Sequence, residues 1–573
     1  MKHWQGYWQR YRLHFSGAAL FVALEAVCDL LQPTIMASII DIGVANRDLD
    51  YVLQQGGIML LVTAVGALAA TARNIISSTV SQRMGTELRS QVYEKIQTLP
   101  FTMVDKFDRA ALITRLTNDV TQIQSLVNGM MRISLKAPIL CIGGLIMAVS
   151  LNPRLSVVLA GVVPVVGLLI AINMKIGYPM FLAVQSALDQ MNRTVRETVA
   201  GVRVVRAFNR FSYEQTKFAT VNTYFRERSE TALRRMAVFG PSIALTMNLG
   251  VVAVLWLGGR GVKSGEMQVG HIIAFINYMT QILFALVIIA LVFNVFVRAR
   301  VSARRIEEVL NVQADGTEEL AADPAPLSFQ GRIDFEQVSF AYDGTLALDN
   351  ISLTCLPGET VGIIGPTGSG KSTLVQLIPR LYEPAAGTVK LDGLDIRRLN
   401  PRLLRDRIAF VPQKALLFSG TILDNIHWGK EGATSAEIET AARMAQAHDF
   451  VMDFPEGYET WIGQGGVNLS GGQKQRLAIA RALVRKPAIL ILDDATSAVD
   501  VATEARIRQA LAAYAAGLTC FIIAQRISSI MTADKIAVLD EGKLVGLGQH
   551  EELLASCAVY REICQSQLVS CVT

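Results

Sequence analysis

Six apolar blocks, at roughly 16–43, 56–78, 130–151, 155–175, 236–258 and 270–297, all fall before residue 298. Each approaches the ~20 residues that a helix needs to cross a bilayer core. Backbone in lipid must satisfy its own hydrogen bonds, so blocks of this kind fold as helices or not at all. Six crossings leave both chain ends on the same side of the membrane. Beyond about residue 330 the pattern changes to short apolar runs broken by glycine and charge, as in a soluble α/β domain. At 573 residues the chain is too long for one domain, and 51% hydrophobic content is what one lipid-embedded half implies. The expected division is a membrane domain over 1–310, a linker over 311–330 and a soluble domain over 331–573. The linker follows from its acidic, Pro-containing composition, NVQADGTEELAADPAPLSFQ.

The connections between blocks set the topology. NPR (152–154) joins the third block to the fourth, whereas 79–129 and 176–235 are long, polar and helical in pattern. The long connections hold Arg83, Arg89, Lys95, Arg109 and Arg115, then Arg193, Arg203, Arg210, Arg226 and Arg234. Loops rich in Lys and Arg stay in the cytoplasm, so these and both termini are cytoplasmic. Each long connection is able to hold two helices of about 20 residues, reaching roughly 30 Å below the membrane at 1.5 Å per residue. At their turns, Phe101 and Phe107, then Phe208, Phe211 and Tyr213, either dock onto another domain or brace each helical hairpin. A formal net charge of +5 is accounted for by this topology, and nucleic-acid binding is not expected. The seven cysteines are scattered without a CxxC pair, so neither a zinc site nor a disulfide framework is expected.

At the N-terminus, Trp4, Tyr7, Trp8, Tyr11 and Phe15 recur at helical spacing among basic residues. That pattern predicts a helix lying in the headgroup region. In the first block, Glu25 and Asp29 are four apart and share a face, with Glu25 roughly 15 Å along the helix. A carboxylate at that depth costs ~2.5–3.5 kcal/mol unless it meets water, a partner or a proton. Two readings stay open: a hydrated cavity wall that favours cationic cargo, or polar contact with a neighbouring span. Pro33 predicts a kink, and Arg73 is expected to snorkel from the inner end of the second block.

The soluble half carries the chemistry. Gly365, Pro366, Thr367, Gly368, Ser369, Gly370, Lys371, Ser372 and Thr373 spell GPTGSGKST, the G-x4-G-K-[ST] pattern, after the strand-like TVGIIG and before the helix-like LVQLIPRLY. Glycines let backbone N–H groups curl around phosphates. Lys371 neutralises the β/γ oxygens and the Ser372 hydroxyl is suited to Mg²⁺. Further along, AILILDD ends a buried strand at Asp493, and LSGGQKQRLAIARAL (469–483) precedes it.

With these motifs in this order, the whole chain resembles an exporter-type half-transporter of the ATP-binding cassette (ABC) family: a six-helix all-α membrane domain followed by an α/β P-loop NTPase domain. The resemblance implies ATP and Mg²⁺ as ligands, with Ser372, Gln413 and Asp493 around the metal. Tyr342, in FAYDG, resembles the aromatic that stacks on adenine. Ser470, Gly471, Gly472 and Gln473 belong to a signature that closes over the ATP of a second subunit. SAVD (497–500) resembles the loop joining the two sites, and IGQGG (462–466) an exporter-specific segment.

Two positions depart from the family pattern. Asp494 stands where a glutamate polarises the attacking water, and Gln525 where a histidine contacts the γ-phosphate. A carboxylate drawn back by roughly 1 Å costs on the order of 10²-fold in rate. The intact signature beside weakened catalytic positions predicts a heterodimer. A non-identical half-transporter would supply the working glutamate and histidine, as in bacterial multidrug exporters of the inner membrane. The cargo expected is hydrophobic or cationic and amphipathic. The alternatives are a homodimeric lipid flippase in which Asp494 suffices, or an ATP-gated regulatory or channel subunit.

Overall fold

A computed structural model of the chain describes residues 2–312, 329–342, 344–514 and 517–568. The expected linker thus lies almost wholly outside the described residues. Packing divides the chain into two units, the first comprising residues 1–97 and 108–312, the second 98–107 and 313–573. The tip of the first long excursion therefore groups with the C-terminal unit.

Among its described residues the first unit is helical apart from short turns, with six apolar helical stretches long enough to span a bilayer, Gly6–Val44, Leu49–Gln97, Arg109–Leu151, Pro153–Ala200, Phe211–Lys263 and Val269–Leu310. Each runs past its apolar block, which makes one continuous rod of span and excursion. Only Asn152 separates the third from the fourth. Its side chain accepts from the N–H groups of Arg154 and Leu155, and Pro153 opens the next helix. Leu60, Leu61, Leu68, Leu249 and Trp256 remain exposed, as an apolar solvent requires. Inside, Phe275, Tyr278, Met279 and Ile282 of the last helix are buried, and the Tyr278 hydroxyl donates to Leu30 O at 2.6 Å.

Two expectations for this unit are revised. The N-terminal aromatic segment is helical but continues without a break into the first span as Lys2–Ser38. Tyr7 and Tyr11 are buried and donate to Gln91 Oε1 (2.9 Å) and Glu87 Oε1 (2.7 Å), so this turn packs on the second helix. Pro33 sits within the same helix, and the wider π-type turn Ile39–Val44 follows it. Arg73 does not snorkel: it is 7% exposed and pairs with Glu25 of the first helix. Glu25 also accepts from Lys136 Nζ at 2.5 Å, and Asp29 lies 2.9 Å from the same ammonium. Of the two readings of these carboxylates, polar contact with neighbouring spans is the one built.

In the second unit, a six-stranded sheet places Thr360–Ile364 between Lys535–Asp540 and Thr519–Ile523, followed outward by Ile489–Asp493 and Ile408–Val411. These five strands are parallel, and Lys543–Gly548 closes the far edge antiparallel. Ile489–Asp493 is buried at every position, as expected of a strand covered on both faces. A four-stranded antiparallel sheet built around Ile333–Tyr342 packs alongside, sharing the core of Phe335, Leu353, Val361, Leu374, Ile491 and Phe521.

Candidate nucleotide site at the ends of four parallel strands

The register of the parallel strands decides which residues meet. Ile363 pairs with Ile523, Ile523 with Asp493, and Leu492 with Val411, so four chains leave the sheet at one level. The segments that follow are Gly365–Thr373, Gln525, Asp494 and Gln413. Crevices at the carboxyl ends of such strands are where α/β sheets bind ligands. Residues separated by up to 160 positions in sequence are collected there by strand order alone.

The phosphate-cradle loop needs its glycines for backbone reasons. Gly370 has φ +94°, and a Cβ there would come within 2.7 Å of Ala347 O. From it the helix Lys371–Leu377 begins. Lys371 Nζ folds over the loop and donates to Gly365 O (2.9 Å) and Pro366 O (2.7 Å), with Ser369 Oγ at 3.4 Å. Burial holds the Lys371 ammonium below its ordinary range, opposed by the charges of Asp493 and Asp494. Thr373 Oγ1 lies 3.4 Å from the Tyr342 hydroxyl.

Beside the loop, Ser372 Oγ donates to Asp493 Oδ1 at 2.9 Å. Asp494 Oδ2 accepts from two amides, Gln525 Nε2 at 2.8 Å and Gln413 Nε2 at 3.2 Å. Both aspartates are buried, and burial raises both carboxyls above the usual range; the Gln413 amide pulls Asp494 back down. A hydroxyl, a carboxylate and an amide form a hard-oxygen donor set of the kind Mg²⁺ takes beside phosphate. Asp494 has φ +50°, an unusual conformation for a non-glycine residue, and its N–H is held by Ile523 O at 3.0 Å.

The signature segment stands at the start of the helix Gly471–Leu483. Ser470 and Gln473 form a reciprocal cap, Ser470 N to Gln473 Oε1 at 2.8 Å and Gln473 N to Ser470 Oγ at 3.3 Å. Ser470 and Gly471 are exposed, so this helix N-terminus is presented outward. Gly472 packs so close to the loop 497–500 that a Cβ would lie 2.8 Å from Ala498 O.

Four residues that motif reading passed over hold these parts together. Gln475 donates to Ser497 Oγ (3.2 Å) and accepts from Ala498 N (2.9 Å), tying the signature helix to the loop after Asp494. Glu504 accepts from Thr496 Oγ1 at 3.1 Å and from Ser529. Gln567, near the C-terminus, donates to Gln525 O at 2.7 Å and accepts from Ile527 N at 2.9 Å. Tyr382 lies edge-on to Tyr342 at 5.4 Å, near Phe101 at 6.2 Å, and donates to Asp105 Oδ2 at 2.8 Å. Gln475 and Tyr382 fall inside quoted stretches but at positions to which the pattern gives no role, and Glu504 and Gln567 lie outside any motif.

Residues 16–287 match the family model for the ABC transporter transmembrane region, and residues 348–497 that for the ABC transporter. An uncharacterized ABC transporter ATP-binding protein of Bacillus subtilis, YfiB, is 40% identical over 96% of both chains. A fatty acid ABC transporter ATP-binding/permease protein of Mycobacterium bovis is 36% identical over 85% of this chain and 77% of its own. The solved structure of a bacterial Atm1-family ABC exporter with ATP bound superposes with a TM-score of 0.81 at 26% identity, covering 97% of this chain and 98% of the other. Helices fit to span a bilayer, a P-loop crevice at strand ends and likeness along nearly the whole length agree: the chain belongs to the ABC transporter family, as an exporter-type half-transporter and ATP-driven translocase embedded in the membrane with its ATP-binding region in the cytoplasm.

Proposed function

We propose that this chain is the slow-hydrolysing half of a heterodimeric exporter of amphipathic compounds in a bacterial inner membrane. Its own crevice holds ATP through Gly365–Thr373, with Lys371 on the β/γ oxygens and Tyr342 against adenine. Ser372, Gln413 and Asp493 would hold Mg²⁺, which neutralises phosphate charge when bound. Ser470 to Gln473 complete the partner's ATP site, where a glutamate and a histidine do the faster hydrolysis.

The observation that carries this reading is the short Asp494 carboxylate tied by the Gln413 and Gln525 amides. A carboxylate engaged by two donors, one methylene short of glutamate, is a poor base for water. Gln525 offers hydrogen bonds to a γ-phosphate but no positive charge. Meanwhile the capped and exposed signature helix is intact, which serves a second subunit rather than this one. Phe208, Phe211 and Tyr213 are likewise exposed, and suit docking onto a partner. The fatty-acid relative favours an amphipathic cargo with an apolar chain.

ATP closure of the paired cassettes would move the excursion helices and turn the membrane cavity outward, and hydrolysis at the partner's site would reset it. The test is ATP turnover by the purified chain alone and together with the half-transporter encoded beside it. Low turnover alone, restored with ATP-driven uptake into inverted vesicles on pairing, is expected. Full turnover by the chain alone would instead establish a homodimer, and ATP binding without transport in the pair a regulatory subunit.

A further inference from the structure

The membrane unit contains a cavity of about 610 Å³ between the second, third and sixth spanning helices. That is within the range of about 300–1,000 Å³ typical of small-molecule sites. Much of its wall is apolar: Leu140, Phe284, Ile288, Leu291, Val292 and Val295. The charged side chains that line it are all cations, Arg73, Arg132 and Lys136, and no carboxylate is among the lining residues.

The charge balance around the cavity is uneven. Arg73 and Lys136 are matched by Glu25 and Asp29, neither of which lines the cavity. Arg132 has no carboxylate partner among the described residues. Three cations against two carboxylates leave one positive charge. A donor of one lining residue, Arg73 Nε, is also buried without a hydrogen-bond partner, and Arg73 itself is only 7% exposed. A buried N–H left unsatisfied costs on the order of 1–3 kcal/mol, and an acceptor oxygen entering the cavity would remove that cost. Arg132 lies in the wider π-type turn Met130–Ser134, a distortion that is common at functional sites.

We propose that this cavity binds a single-chain amphiphile with an anionic head, carboxylate or phosphate: the head is held by Arg132 and Lys136, and the alkyl chain lies along Phe284 to Val295. The inference rests on the exporter reading for the direction of movement, but not for binding. It reverses the cation preference that Glu25 and Asp29 suggest on sequence grounds, because both carboxylates are already neutralised by Arg73 and Lys136. Arg132 is exposed at the start of the third apolar block, and there the excess positive charge attracts an anion and repels a cation.

The test uses the full chain in nanodiscs of zwitterionic lipid, with and without its partner half, and binding of tritiated hexadecanoate and tritiated hexadecyl phosphate read without turnover. Saturable binding of either anion is expected, displaced by the unlabelled anion but not by hexadecanol or hexadecyltrimethylammonium. Which anion binds names the head group. Arg132→Gln should weaken binding roughly tenfold, the loss of one charge-assisted hydrogen bond. Val292→Trp, which fills the apolar wall and touches no charge, should also abolish saturable binding in protein that elutes as a single gel-filtration peak. Binding of neither anion, equal displacement by the trimethylammonium compound, or unchanged affinity in both variants would overturn the proposal. Absence of ATP-driven transport with anion binding intact would count against the export reading alone.

Discussion

Asp494 and Gln525 are joined by a 2.8 Å hydrogen bond, so their replacement is best made together. Asp494→Glu with Gln525→His should raise turnover at this chain's own site by up to about 10²-fold, the cost of a carboxylate misplaced by ~1 Å. Phosphate release from the proposed heterodimer, with the glutamate expected of its partner replaced, reads this site in isolation. An unchanged rate would mean that side-chain chemistry is not what limits it. Glu25 is the matching case in the membrane. Removing one member of a buried ion pair strands the other, at a cost of ~3–5 kcal/mol. Glu25→Gln should therefore lower the melting temperature of the purified protein, and Glu25→Gln with Arg73→Met should recover most of the loss. If the single variant melts like the parent, the Arg73 pairing is not a stabilising contact.

Elements transmit what these residues do. The helix Gly471–Leu483 and the loop 497–500 are held in register by the two hydrogen bonds of Gln475. Gln475→Leu keeps the bulk and loses both bonds, at about 1–3 kcal/mol if the loop partners stay buried. In the assembled pair it should slow hydrolysis at the partner's site while nucleotide binding to this chain's P-loop is retained, measured by fluorescent-ATP titration beside phosphate release. The short helix Phe101–Phe107 meets the C-terminal unit through Tyr382, whose ring also touches Tyr342, the candidate adenine contact. A nucleotide that settles against Tyr342 is therefore one aromatic ring away from a helix of the first excursion. Tyr382→Phe keeps the ring and deletes the bond to Asp105, worth about 0.5–1.5 kcal/mol. The ratio of cargo-stimulated to basal ATPase should fall a few-fold, and an unaltered ratio would remove this contact from the coupling route.

In the proposed pair the Ser470 helix end, exposed on this chain, serves the partner's ATP. Ser470→Arg should stop hydrolysis at the partner's site in the assembled pair and leave ATP binding at this chain's P-loop unaffected; an undiminished overall rate would contradict the shared-site arrangement. The apolar blocks announce the six spans because lipid offers backbone no other solution, and GPTGSGKST announces a phosphate cradle because few other sequences permit its backbone. Asp494 and Gln525 were legible as misfits in otherwise matching motifs, and their effect on hydrolysis is what the double variant tests. Gln475, Glu504, Gln567 and Tyr382 were not, since each acts by reaching a residue from another part of the fold and local pattern does not encode distance. Glu25, Asp29 and Arg73 mark the limit most clearly. Their depth in the apolar blocks could be read from the residue order, but their charge balance depends on how neighbouring helices rotate against one another. That rotation matches Glu25 with Arg73 and Lys136, leaves Arg132 without a carboxylate among the described residues, and so gives the cavity wall its positive sign.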